Sequence, residues 1–287
     1  MRLKGLRRSS NVEDRRGRRT GMTGGARGRV GGLGIVGVVV VLAVGYFTGI
    51  DVSPLLQGTS APPATQVTQA ALPADEQQAG EFASQVLATT EDVWAHVFQT
   101  QLNANYTPPI LVLFSQVTSS PCGNASGATG PFYCPVDQKA YLDTAFFATL
   151  ARQMGAEGDF AAAYVIAHEV GHHVQNELGI LGKAQELQRQ FSAPDANAVS
   201  VRVELQADCL AGIWANAVDG LLEHGDIEEA LNAAEKIGDD YLMARAGRAA
   251  NPHNYTHGTS EQRMRWFARG QQSGQIADCD TFSADRL

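Results

Sequence analysis

One stretch limits more than any other what this chain can become: VGGLGIVGVVVVLAVGYFTGI, residues 30–50, has no charged side chain in 21 positions. As a helix rising about 1.5 Å per residue it covers roughly 30 Å, the thickness of a hydrocarbon core. Its six glycines and its run of four valines make a poor soluble helix but are tolerated in a membrane span. The run exceeds the ~7–15 apolar residues of a cleaved signal, and no A-x-A site closes it. Arginines cluster before it and Asp51 follows. The positive-inside rule therefore predicts a single-pass protein of the cell membrane. Residues 1–29 are then a basic cytoplasmic tail, residues 30–50 the transmembrane helix in the lipid bilayer, and everything beyond is extracytoplasmic.

Charge is distributed in the same way. Residues 1–30 hold ten Lys/Arg against Glu13 and Asp14, so the net charge of −8 for all 287 residues leaves −16 on the rest. A body that acidic is no general binder of nucleic acid, whose affinity comes mostly from phosphate neutralisation by Lys/Arg. Residues 51–75 are rich in Pro, Ser, Thr, Gln and Ala without apolar period and read as a flexible linker. Residues 76–287 contain no repeat and no second linker, which predicts one domain with a single core. All four cysteines lie on the expected outer side, where disulfides persist. Cys122 and Cys134 bracket a Gly/Ser/Thr-rich segment that needs a staple, so the predicted pairs are Cys122–Cys134 and Cys209–Cys279.

Apolar spacing predicts a helix over roughly 76–102, a strand at 110–117 and a short strand near Ala140–Leu142 that runs into a helix. From about Phe160 the pattern is helical, with segments near 160–178, 181–191, 197–218, 226–248 and 260–271. Strands early and helices late predict an α+β fold, mainly helical with a small sheet.

Within the helical segment 161–179 stands His168-Glu169-x-x-His172. A spacing of four puts both imidazoles on one face a turn apart, as two nitrogen ligands of a tetrahedral zinc require. Glu169 is rotated so that its carboxylate reaches a water on the metal, the position of a general base. A catalytic zinc site takes a third protein ligand and keeps one position open. Gln175 and Leu178 stand where the longer H-E-x-x-H-x-x-G-x-x-H pattern has its Gly and third His, which argues against a metzincin. Further on, Glu204 and Asp208 lie four apart on an otherwise small and apolar helical face. Two carboxylates there are costly to bury unless paired or bound to a cation. Glu204 is the expected third ligand and Asp208 the acceptor that orients a ligating imidazole. His173 is expected in a supporting role, and His96 and His224 on the surface. Thr259-Ser-Glu-Gln262 reads as a capping box, which sets His257 just before a helix N-terminus. His257 is the expected catalytic donor to an oxyanion, with His253 and Tyr255 as alternatives.

The blocks GPFYCPVDQKAYLD (130–143), AHEVGHHVQ (167–175), ELQADCLAGIWA (204–215) and HGTSEQRMRWF (257–267) together resemble the family called putative neutral zinc metallopeptidase. The resemblance covers roughly 80–275. It implies a zincin-like domain behind one membrane span, with a single Zn2+ held by His168, His172 and Glu204 in an arrangement similar to the thermolysin type. It also implies an endopeptidase, in which Glu169 takes a proton from the zinc-activated water and delivers it to the leaving amine of a protein or peptide substrate. The block at 130–143 resembles the edge strand against which zincins lay an extended chain. His172 and Glu204 are 32 positions apart, more than in thermolysin, so an additional helix is expected between them. A second reading keeps the zinc without proteolysis, as an envelope scaffold or regulatory module.

Overall fold

The structure is a computed structural model and describes residues 1–17, 72–126 and 130–287. Its elements begin with strand β1 (Val12–Asp14) and helix α1 (Ala74–Val97), which ends in a π-helical turn at Phe98–Leu102. Next come β2 (Ile110–Phe114), a hairpin of β3 (Val117–Ser120) and β4 (Gly123–Ser126), and then β5 (Phe132–Cys134) and β6 (Lys139–Asp143). Helices follow: α2 (Ala145–Arg152), α3 (Asp159–Glu177), α4 (Ile180–Gln190), α5 (Ala193–Ala217), α6 (Asp226–Lys236), α7 (Asp239–Arg245) and α8 (Ser260–Ser273). The expected α+β class, mainly helical with a small sheet, is what forms.

The sheet has the order β1-β2-β6-β5, with β2 parallel to both β1 and β6 and with β5 antiparallel to β6. Leu111 to Phe114 are all buried, which is why the ILVLF run shows no alternation: helices α1 and α3 cover one face, and Tyr141 packs with Val112 and Phe114 in a smaller cluster. Helix α3 lies in the centre. Phe160 to Gly171 are buried without interruption, so a long run on this helix has no solvent face. It starts after Gly158, whose φ of +105° suits glycine, and stops at Gly179, where φ is +71°.

Helices α3, α5 and α8 approach unusually closely because glycines stand at the crossings. A Cβ on Gly171 would lie 2.9 Å from the Ala207 carbonyl oxygen, and one on Gly270 would lie 1.9 Å from that of Cys209. Both expected disulfides form: Cys122–Cys134 ties the β3–β4 turn to the end of β5, and Cys209–Cys279 fastens α5 to the C-terminal segment.

Two expectations need correction. The single helix read over 226–248 is two, α6 and α7, because the chain turns at Gly238, where a Cβ would collide with the Ser260 amide nitrogen at 2.4 Å. The localisation is also corrected. Among the described residues no helix is long and apolar enough to cross a membrane, and the transmembrane segment expected at 30–50 lies outside the described residues, as does most of the linker expected at 51–75. The supposed cytoplasmic tail, moreover, is built into the same body as the candidate site. Met1 and Leu3 are buried in the main core, β1 extends the sheet, and the Met1 ammonium meets Asp159 at 2.9 Å and Glu223 at 3.0 Å. Segments joined in one core cannot occupy opposite sides of a bilayer.

Candidate metal centre

Helix α3 presents His168 and His172 one turn apart, and α5 crosses it with Glu204 opposite both. His168 Nε2 is 3.2 Å from Glu204 Oε2, and His172 Nε2 is 3.4 Å from Glu204 Oε1. The three candidate ligand atoms lie within 4.8 Å of one another.

The outer nitrogens fix which atoms point inward. Asp208, one turn after Glu204 on α5, takes a hydrogen bond from His168 Nδ1 at 2.8 Å. His172 Nδ1 donates to Gln175 Oε1 at 2.9 Å, while Gln175 Nε2 donates to the Val203 carbonyl and to Gln206 Oε1. A carboxylate and an amide oxygen only accept, so each ring, when neutral, keeps its Nε2 lone pair for the space in front of Glu204.

Asp208 is fully buried and is the hub of a polar cluster. It accepts from Tyr164 Oη at 2.5 Å and from Arg263 through both Nε and Nη2 at 2.9 Å. Arg263 itself is 2% exposed. Burial opposes ionisation of Asp208, but Arg263 and His168 outweigh it and hold its carboxyl below the usual range. Burial likewise opposes a charge on His168, yet Asp208 and Glu204 raise its pKa to about 10. The pKa of Glu169 is raised by burial, and its Oε2 is buried without a hydrogen-bond partner.

His168, Glu169, His172, Glu204 and Arg263 line a cleft of about 650 Å³ together with residues of β5, the start of α2, α4 and α5. His257 lines it too, and neither His253 nor Tyr255 does. Asp239 holds this loop: its Oδ2 accepts the backbone amides of Thr256, His257 and Gly258 at 2.7–3.0 Å, and its Oδ1 is 3.4 Å from His257 Nδ1. Partial desolvation opposes a charge on His257, but Glu204 and Asp239 raise its pKa. The capping box at Thr259 and Gln262 is present as expected. His173 faces away from the cluster, donating from Nε2 to the Thr107 carbonyl and accepting from Tyr133 Oη at Nδ1. His96 and His224 are exposed.

The donor set fits a divalent cation. Glu169, Glu204 and Asp208 carry three negative charges when ionised and Arg263 one positive charge, so two negative charges remain when both imidazoles are neutral. Two imidazoles and a carboxylate suit zinc, with one position open.

A mainly helical domain with two histidines and a glutamate converging on one cleft defines a candidate metal centre. The chain belongs to the family described as "putative neutral zinc metallopeptidase", which matches residues 1–282. It is 45% identical over 286 residues to the "Uncharacterized protein YpfJ" of Escherichia coli K12, covering 98% of this chain and 99% of that one. It is 46% identical over 195 residues to the "Uncharacterized protein Rv2575" of Mycobacterium tuberculosis, covering 63% of this chain and 65% of that one. No solved structure matches the chain.

Sequence reasoning missed four supporting residues. Tyr164 lies one turn before His168, and Gln175 three residues after His172, so helical spacing carried a signal for both. Arg263 and Asp239 come from distant segments, and only the fold brings them in.

Proposed function

We propose that the chain is a zinc-dependent endopeptidase with a zincin-like domain, in which His168, His172 and Glu204 hold the metal and Glu169 is the general base. One observation carries this reading: Glu169 has a buried, unpartnered Oε2 and lines the same cleft as the three converging ligand residues. An unsatisfied acceptor at that depth is costly unless a proton donor comes to it.

Zinc, when bound, supplies a Lewis acid that polarises a peptide carbonyl and acidifies water. The protein supplies the rest. Glu169 accepts the proton of the attacking water at its carboxylate and hands it to the leaving amine; its burial makes it more basic than an exposed carboxylate and so better matched to both steps. His257, steadied by Asp239, donates a hydrogen bond to the developing oxyanion. Asp208 and Gln175 keep the two imidazoles in their ligating tautomers and orientations.

The test is elemental mass spectrometry on the purified full chain, coupled to digestion of an unfolded protein. About one zinc per wild-type chain is expected, with much less in Glu204→Ala. Glu169→Ala is expected to keep its zinc and lose cleavage. A zinc-loaded wild type that leaves unfolded protein and quenched peptides intact would overturn the peptidase reading in favour of a silent zinc module.

A further inference from the structure

Helix α4 lies between His172 and Glu204 in the sequence, and one of its faces lines the cleft. Leu181, Ala184, Gln185 and Gln188 recur at helical spacing and line the cleft. Lys183, Glu186 and Arg189 are exposed and do not line it. Phe132 of β5 and Phe146 of α2 line the same cleft. Among the described residues lining this cleft, every Asp, Glu, Lys, Arg or His belongs to the centre already described: His168, Glu169, His172, Glu204, His257 and Arg263. A chain with 30 Asp/Glu and 22 Lys/Arg has thus kept its charges off the walls beside the metal ligands.

We propose that α4 is the specificity-setting wall of this site, and that it selects a peptide segment with an uncharged, aliphatic or aromatic side chain next to the reacting bond. The proposal rests on the peptidase reading and names its substrate class. Such a side chain would lie among the apolar lining residues Leu181, Ala184, Phe132 and Phe146, leaving water for an apolar slot. A charged side chain there loses hydration and finds no counter-charge on the walls. Gln185 and Gln188 offer neutral amides, and Gln188 is tied to Ser200 Oγ at 2.8 Å, so the α4 wall is polar only toward neutral partners.

The test uses zinc-loaded full-length Glu169→Gln protein and three blocked fluorescent pentapeptides that differ only in a central Leu, Asp or Lys. Binding is read by anisotropy and so does not depend on turnover. The Leu peptide is expected to bind about tenfold or more tightly than either charged one. Adding Leu181→Asp, or the milder surface change Gln185→Glu, is expected to shift the ratio toward the Lys peptide. Equal binding of the three peptides, or a ratio unmoved by both variants, would overturn the proposal. Cleavage mapping on the wild type separates the two readings. Selective binding without any cleavage defeats the peptidase and leaves the wall, whereas cleavage without selectivity defeats the wall and leaves the peptidase.

Discussion

Asp208 ties three side chains together at one buried point, those of Tyr164, His168 and Arg263, and removing its charge is expected to disturb them unequally. Asp208→Asn keeps the volume but leaves Arg263 without its bidentate partner and turns an acceptor of the His168 Nδ1 proton into an ambiguous group. Zinc affinity is expected to fall about 10–100-fold, as it does when the partner of a ligating histidine is lost. Competition with a fluorescent chelator measures this, and unchanged affinity would remove Asp208 from its orienting role. Asp208 was legible in the sequence because it stands one helical turn from Glu204 on a face of small residues. Arg263 was not, since nothing local separates a buried arginine from the solvated ones at positions 265 and 269 of the same helix. Its meaning appears only when α8 packs on α5 and brings the guanidinium to a carboxylate 55 positions away.

At the scale of elements, the site depends on how closely α3, α5 and α8 can lie. Gly212 and Gly270 face each other across the α5–α8 crossing, and a methyl group on Gly270 would overlap the Cys209 carbonyl oxygen. Backbone on both sides leaves nothing flexible to give way, so Gly270→Ala is expected to cost at least the ~1–3 kcal/mol of ordinary overpacking. The effect should appear as a lower urea midpoint with little change in slope. The same variant is expected to loosen zinc, because Asp208 precedes Cys209 and Arg263 sits on the helix that is pushed away. Glycines of this kind are silent in a sequence: helical spacing located α3, α4, α5 and α8 within a few residues, but it does not reveal which faces meet backbone to backbone. Gly238 shows the converse, since the apolar pattern continued across it and only the packing of Ser260 against it shows why the helix has to break.

For the molecule as a whole, the charge asymmetry has an intramolecular outlet. Arg7 pairs with Glu91 and Asp92 of α1, Arg8 with Glu81, and Glu13 with both Arg15 and Lys139, the last across the sheet. Exposed pairs of this kind contribute little one at a time. Here they accompany buried Ser9, which with Asn11 donates to nearly buried Glu91, and the β1–β2 pairing. A run of arginines beside an apolar stretch reads in sequence as a membrane flank, and what that reading lacked was the position of the acids, spread over α1 and visible as partners only in three dimensions. Glu13 makes the docking sensitive to acid. Hydrogen bonds from Arg15 and then Lys139 lower its pKa from 4.5 to about 2. A carboxyl depressed on folding stabilises the folded state above its unfolded pKa and loses that contribution as pH falls through the folded one. Residues 12–14 are therefore expected to stay protected from hydrogen exchange near pH 7 and to lose protection between about pH 4.5 and 2, ahead of the disulfide-tied helices. Glu13→Gln is expected to flatten that dependence while leaving zinc content unchanged. If β1 and α5 instead open together in both proteins, the N-terminal strand is an inseparable part of the cooperative core and Glu13 does not control its release.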